Sequence, residues 1–108
     1  MKIKNGTLVS LENSDIKKGV LKLPKSVKKI DDEVIKDYPD LEKVFAPALE
    51  QIGNDNFRVC NALTSFDAPV LTQIGNDNFR VCNALTSFDA PVLTQIGNDN
   101  FRDRKSVV

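Results

Sequence analysis

Apolar and polar residues alternate over short stretches of the chain, and each of these stretches ends at a proline. The stretch 63–68 has an apolar side, with Phe66 and Ala68, and a polar side that begins with Ser65. Alternation of this kind predicts a short, half-buried strand. Pro69 follows at once and predicts the end of the strand, because proline has no N–H group to donate to a ladder.

Behind the strand, the apolar positions change to a spacing of three residues. Gly75 and Asn76 are a turn signal, and Asn76 or Asp77 can accept hydrogen bonds from the free N–H groups of a helical turn. Phe79 and Cys82 lie three residues apart, as side chains on one face of a helix do. The pattern therefore predicts a unit of strand, turn, short helical or 3₁₀ segment, and return.

This unit recurs because the sequence repeats itself. Residues 51–72 and 73–94 are identical over 22 positions, and a third copy ends after Arg102. Aligned prolines extend the repeat upstream in a degraded form: Pro24, Pro47, Pro69 and Pro91 lie 23, 22 and 22 residues apart. Slow drift would have scattered substitutions over the exposed positions. The identity therefore indicates either a recent tandem duplication or an engineered consensus, and both interpretations stay open.

One repeat is too small to fold alone. Burial of its large apolar side chains contributes roughly 8–15 kcal/mol at about 1.5–3 kcal/mol each; they are Leu63, Phe66, Leu71, Ile74 and Phe79. Ordering the backbone and side chains of one unit costs on the order of 30 kcal/mol. Stacked copies supply the missing contacts and strand hydrogen bonds, so the repeat predicts a solenoid.

The alignment divides the chain into a cap, about four coils and a tail. The coils are 20–40, 41–62, 63–84 and 85–102. Residues 1–19 are predicted to cap the first coil, with a hairpin turn at Lys4-Asn5-Gly6-Thr7. Residues 103–108 are predicted to be a short C-terminal tail or cap.

The unit pattern L-x-x-F-x-A-P-x-L-x-x-I-G-x-x-x-F-x-x-C-x-x resembles the leucine-rich repeats of the bacterial BspA-like type. The resemblance covers roughly residues 20–102, and its most specific positions are Ile52-Gly53, Phe57 and Cys60 with their copies. Two positions depart from the family pattern. Ala68 and its copy replace a larger aliphatic residue, and Asn56 and its copy replace a common alanine.

The resemblance implies an α/β repeat solenoid. Its chain would wind as a right-handed coil, with a short parallel sheet on the concave side and short helical or 3₁₀ segments on the convex side. It also implies a role in binding proteins or host surfaces. It brings no catalytic site, because the repeats of that family have none, and we expect neither an enzyme nor a cofactor.

Charge and hydropathy argue against nucleic acid and membranes as partners. Lys and Arg total 15 and Asp and Glu total 15, so no net charge steers the chain to nucleic acid or membrane. Six lysines between residues 17 and 29 are either a basic patch for polyanions or a solvated cap face. No apolar run reaches the ~18 residues of a membrane span. The start lacks the apolar core of a signal peptide, which indicates a cytoplasmic protein or a fragment of a secreted one.

Cys60 and Cys82 occupy the same place in successive coils. Stacking would bring their Cα atoms to about 5 Å, within the range of a disulfide, although parallel side chains are poorly directed for the bond. The alternative is a pair of buried thiols that act as small apolar side chains. Two cysteines without any histidine argue against a zinc site, and no metal site is predicted.

The polar side of the strands is the predicted partner-binding face. Its residues are Lys43, Phe45, Ser65, Asp67, Ser87 and Asp89. Asp67 and Asp89 would lie about 5 Å apart, where two carboxylates repel by about 0.8 kcal/mol in water and about 3 kcal/mol at an effective dielectric of 20. Water, a bound cation or a basic side chain of a partner would compensate them. Phe45 beside them is typical of an interface anchor.

Two functions follow from these observations. The first is a protein-interaction module that binds a protein or host-surface ligand through the concave sheet. The second is a structural unit that associates with itself, as a homodimer for example, through an incompletely capped C-terminal coil at Phe101, Val107 and Val108. Unpaired strand edges and uncapped coils invite pairing with another chain.

Overall fold

Each repeat closes one turn of a coil, and successive turns stack in register. The computed structural model describes residues 1–101. Within them, the chain forms short strands: β1 (Lys2–Lys4), β2 (Thr7–Ser10), β3 (Val20–Lys22), β4 (Lys29–Ile30), β5 (Lys43–Phe45), β6 (Gln51–Ile52), β7 (Ser65–Asp67), β8 (Gln73–Ile74), β9 (Ser87–Asp89) and β10 (Gln95–Ile96). A coil therefore contributes one three-residue strand and one two-residue strand.

The strands make two sheets along the stack. The longer strands pair in parallel in the order β3-β5-β7-β9, and the shorter ones continue a sheet of order β1-β2-β4-β6-β8-β10. Pairing joins equivalent repeat positions, as between Phe66 and Phe88 or Ile52 and Ile74. Like residues therefore form ladders, because the parallel strands keep a constant offset of one repeat.

An N-terminal hairpin begins the second sheet. β1 and β2 run antiparallel around Asn5 and Gly6, whose φ angles of 51° and 79° lie in the left-handed region that this turn requires. β2 then pairs in parallel with β4, so the hairpin continues the ladder of the coils. The hydroxyl of Tyr38 donates to the carbonyl of Leu11 at 2.9 Å and ties the cap to the first coil.

Proline turns change the direction of the chain between the sheets. The N–H of Leu71 donates to the carbonyl of Ala68 at 3.2 Å, which closes a turn with Pro69 at its second position. Proline suits this position because its φ angle is already fixed near the required value. A second turn, from Cys60 to Leu63, returns the chain to the first sheet. Both leucines that end these turns are completely buried.

Aromatic ladders fill the space between the sheets. Phe57, Phe79 and Phe101 stack face to face with ring centroids 4.8 and 5.1 Å apart. Phe66 and Phe88 form a second stack at 5.3 Å. The two stacks meet edge to face, as aromatic rings prefer. The core is thus one continuous column rather than a separate core in each coil.

The predicted helical segments on the convex side are wrong. The described residues contain no α-helix, and their 3₁₀ turn lies in the cap at Asn13–Asp15. Asp55, Phe57 and Val59 have φ angles of 60°, 60° and 53°. Every second residue is therefore left-handed, and a right-handed helix cannot propagate through the segment. The α/β assignment is therefore corrected to a β-solenoid whose coils pair in parallel in two sheets.

Hydrogen bonds between coils replace those of the predicted helix. The N–H groups of Asp55 and Val59 donate to the carbonyls of Asn76 and Arg80 in the next coil, both at 2.9 Å. The N–H of Phe57 donates in the opposite direction, to the carbonyl of Ile35. The segment is thus held from both neighbouring coils. Asn76 does not cap a helix: its Oδ1 accepts from the N–H of Asn98 at 2.7 Å.

The glycine of each repeat allows the backbones of successive coils to approach each other closely. A Cβ atom added to Gly75 would lie 2.5 Å from Oδ1 of Asn54 and 2.6 Å from the carbonyl oxygen of Gly53. Contacts this short with backbone cannot be relieved by a side-chain rotation. The Ile-Gly pair of the pattern therefore has two separate roles. The isoleucine packs inward, and the glycine lets successive coils approach each other.

A buried asparagine ladder runs beside the aromatic column. Asn56 is completely buried. Its Oδ1 accepts from the N–H groups of Val34 and Ile35, both at 3.0 Å, and its Nδ2 donates to the carbonyl of Asp31 at 2.9 Å. Asn78 repeats the arrangement one coil later, accepting from the N–H of Asn56 at 2.8 Å. The amide of Asn56 therefore makes one buried and two part-buried hydrogen bonds to the backbone, which an alanine side chain could not make.

Candidate partner-binding face

The outward side of the β3-β5-β7-β9 sheet carries every residue of the predicted binding face. We call this side the front face. Leu21, Val44 and Phe66 point from it into the core and are at most 1 % exposed. The alternate residues point outward: Val20, Lys22, Lys43, Phe45, Ser65, Asp67, Ser87 and Asp89. The period-two pattern of the strands decides this division.

Strand register arranges the outward residues in two rows that run along the stack. One row contains Val20, Lys43, Ser65 and Ser87. The other, which we call the charged row, contains Lys22, Phe45, Asp67 and Asp89. Neighbouring members of a row are separated by one strand spacing, about 4.8 Å. The four strands therefore place a cation, an aromatic ring and two carboxylates in a line.

Phe45 is the aromatic side chain on this face, and 40 % of it is exposed. A shallow depression beside it is lined by Lys22, Leu23, Pro24, Lys25, Phe45 and Pro47. Alternation alone predicts Phe45 but not the leucine and the prolines. The sequence does show that Pro24 and Pro47 occupy equivalent positions of successive repeats. Equivalent positions become neighbours when coils stack, so the two prolines could have been placed together.

Asp67 and Asp89 are direct neighbours in the charged row. Asp67 is half-buried and Asp89 is exposed. Within residues 1–101 neither carboxylate is in an ion pair, whereas Asp55 and Asp77 each pair with the arginine three residues later, at 3.7 and 3.8 Å. The front-face carboxylates therefore keep both of their charges available to a partner.

The lysines near the N-terminus divide between two surfaces, and four of them lie together: Lys17, Lys18, Lys22 and Lys25 line two depressions that share Lys22. All six are exposed. Lys22 points outward from the first sheet, whereas Lys29 points outward from the second, in β4. Both sheets cover the same core, so their outward sides face apart. Asp15 lies among the four grouped lysines, so the charge there is mixed, and the basic patch and the solvated cap face both stay predictions.

The two cysteines are buried free thiols. Burial raises the pKa of the Cys60 thiol to about 11, which keeps it protonated at neutral pH. The thiol of Cys82 donates to the carbonyl of Phe57 at 2.8 Å. A protonated and buried thiol is a poor nucleophile and a poor metal ligand. This arrangement favours the structural interpretation of the pair over a redox role.

The predicted self-association residues lie beyond or near the end of the described region. Phe101 is half-buried against Phe79 and Phe88, whereas Val107 and Val108 lie outside the described residues. Nearby, Ile96 is 54 % exposed although its copies Ile52 and Ile74 are each 3 % exposed. The described part of the last coil therefore presents an apolar surface that an added coil would cover.

Among residues 1–101, no group of three or more His, Cys, Asp and Glu side chains is placed to hold a metal ion. The same residues include no helix that is long and apolar enough to cross a membrane.

Comparison with known families agrees with this architecture. A family model described as a BspA-type leucine-rich repeat region (6 copies) matches residues 10–108. The chain therefore belongs to the BspA-type leucine-rich repeat family. No curated protein and no solved structure matches it. The class of protein is thus a repeat scaffold of stacked coils.

Proposed function

We propose that the chain is a protein-interaction module and that the front face binds the partner. The observation that carries this proposal is the exposed Phe45 beside Leu23 and Pro47, on a regular sheet whose neighbouring carboxylates have no partner within the described residues. Aromatic anchors in apolar depressions supply much of the binding energy of interfaces, and a polar rim supplies specificity. Membership of the BspA-type leucine-rich repeat family supports the same function.

The front face can be tested by a triple variant, Phe45→Ala with Asp67→Asn and Asp89→Asn. We expect it to weaken binding of a protein partner by about thirtyfold or more, since truncation of an interface anchor costs about 2 kcal/mol. Binding is measured by surface plasmon resonance. The matched control changes Gln51→Ala and Gln73→Ala, outward residues of the second sheet. Equal binding by the triple variant, the control and the parent chain would show that the front face is not the binding surface.

A second candidate function is self-association through the last described coil. It is favoured by the exposure of Ile96, which is 54 % exposed, whereas its copies Ile52 and Ile74 are each 3 % exposed. We expect mass measured by light scattering to rise over a hundredfold range of concentration, and Ile96→Lys to abolish the rise. Val70→Lys is the matched control, because Val70 is 42 % exposed in the middle of the array. A monomer mass that does not depend on concentration would rule out this function.

A further inference from the structure

The charged row has a direction. Register places Lys22 at one end, Phe45 next to it, and Asp67 and Asp89 at the other end. The parallel row of the front face carries a single charged residue, Lys43. The charge on the face therefore changes from positive to negative along one line, with Phe45 between the two ends.

The positive end joins the apolar depression. Lys22 and Lys25 both line it, and both side chains are exposed. Within the described residues neither ammonium group is in an ion pair with a carboxylate. An anion placed there would contact two cations while a neighbouring apolar group contacts Phe45.

The negative end is suited to a single cation. Asp67 and Asp89 lie on adjacent strands in register, so their carboxylates are about 5 Å apart and repel each other. A guanidinium or ammonium group between them would be attracted by both and would remove the repulsion. A guanidinium group has the further advantage of several N–H donors in a fixed plane.

The spacing of these groups matches that of an extended peptide. Three strand intervals of about 4.8 Å separate Lys22 from Asp89, about 14 Å in total. In an extended chain, side chains on one side recur about every 6.6 Å. An acidic residue above Lys22 would then be followed by an apolar residue near Phe45 and a basic residue between the two aspartates, at alternate positions.

We propose that the front face binds an extended segment with an acidic, an apolar and a basic side chain at alternate positions, laid across the strands along the charged row. This inference rests on the proposed function and specifies the chemistry of its partner. A segment with two acidic ends would place a carboxylate on Asp67 and Asp89, and a segment with two basic ends would place a cation on Lys22. Both would be rejected by like charge.

The probe is the acetylated and amidated peptide Gly-Glu-Ser-Leu-Ser-Arg-Gly, titrated into the isotope-labelled chain and followed by NMR. We expect a Kd of about 1 mM, as a small contact on an open face allows, and amide shifts at Lys22, Phe45 and Asp89. The scrambled peptide Gly-Ser-Leu-Glu-Arg-Ser-Gly should bind about tenfold more weakly, since its two charges are adjacent and cannot reach both ends of the row.

A charge variant gives the sharper test. Asp67→Lys with Asp89→Lys makes the row basic at both ends. This variant should no longer bind the Glu-Ser-Leu-Ser-Arg peptide and should instead bind a Glu-Ser-Leu-Ser-Glu peptide. The control, Gln51→Lys with Gln73→Lys on the second sheet, should change the affinity for neither peptide. Circular dichroism melting confirms that each variant is folded.

The outcomes separate this inference from the proposed function. Equal binding of the matched and scrambled peptides, with shifts at Phe45, would overturn the charge order but leave the front face as a binding surface. Absence of binding, or shifts confined to other surfaces, would overturn the inference. If Phe45→Ala also leaves the binding of a protein partner unchanged, the proposed function is overturned as well.

Discussion

Phe79→Ala lowers the free energy of unfolding by about 3–5 kcal/mol, the range for a buried phenylalanine truncated in a core. Phe79 is completely buried, and its ring stacks on Phe57 at 4.8 Å and on Phe101 at 5.1 Å. The change therefore opens a gap in the column that joins the coils. Since domains of this size have about 5–15 kcal/mol of stability, the loss is a large part of the total.

The effect is measured by urea unfolding followed by circular dichroism, and Phe45→Ala is the matched control. The chemical change is the same, but Phe45 is 40 % exposed on the front face. We expect the control to cost about 1 kcal/mol or less, as most surface changes do. Equal losses in the two variants would contradict a continuous aromatic core.

Asn56→Ala destabilises the chain by about 3–5 kcal/mol, since a backbone group left without a partner costs about 1–3 kcal/mol, and least where water can reach it. Three groups lose their partner together: the N–H groups of Val34 and Ile35 and the carbonyl of Asp31. An alanine leaves a space but offers no acceptor in it. Thermal and urea unfolding measure the loss.

Asn54→Ala is the control for this experiment. Asn54 also accepts from the N–H of the next coil, that of Asn76 at 2.7 Å, but this hydrogen bond is exposed. Water can replace it, so we expect a loss below about 1 kcal/mol. A similar loss in both variants would mean that the position of an asparagine in the ladder does not matter and that our account of the buried amide is wrong.

The repeat and most core positions could be predicted from the sequence. The alternation around Phe66 determines which residues of β7 point inward, and repetition extends the assignment to every other coil. Leu63, Leu71 and Ile74 follow from the same unit pattern, and all three are at most 3 % exposed. Such positions are predictable because burial of a large apolar side chain dominates the local choice of conformation.

The segment that contains Phe79 and Cys82, which was predicted to be helical, could not be predicted in the same way. A spacing of three between Phe79 and Cys82 suits a helix, yet it suits equally a chain whose alternate residues are left-handed. In the observed conformation both side chains are completely buried, and a helix would also place them on one face. Hydrogen bonds to neighbouring coils decide between them, and these depend on the stacking of three coils at once. A single unit of the sequence does not contain that information.

The front face was predictable in part. Repetition gives the outward positions and places Asp67 beside Asp89, so the line of charge follows from the sequence once the strands are known. The depression at Phe45 does not follow from alternation. It depends on how the turns after β3 and β5 pack, which brings Leu23 and Pro24 next to Pro47.

Deletion of one repeat tests the stacked-coil architecture most directly. Removing Gln73–Thr94 leaves the sequence on either side of the junction unchanged, because residues 73–94 duplicate 51–72. We expect the shortened chain to unfold cooperatively with the same circular dichroism spectrum per residue and a lower melting temperature, since stability in a solenoid accumulates from neighbouring units. Removing residues 73–83, half of a repeat, should abolish cooperative unfolding. Equal melting behaviour of the two deletions would contradict the stacked-coil account.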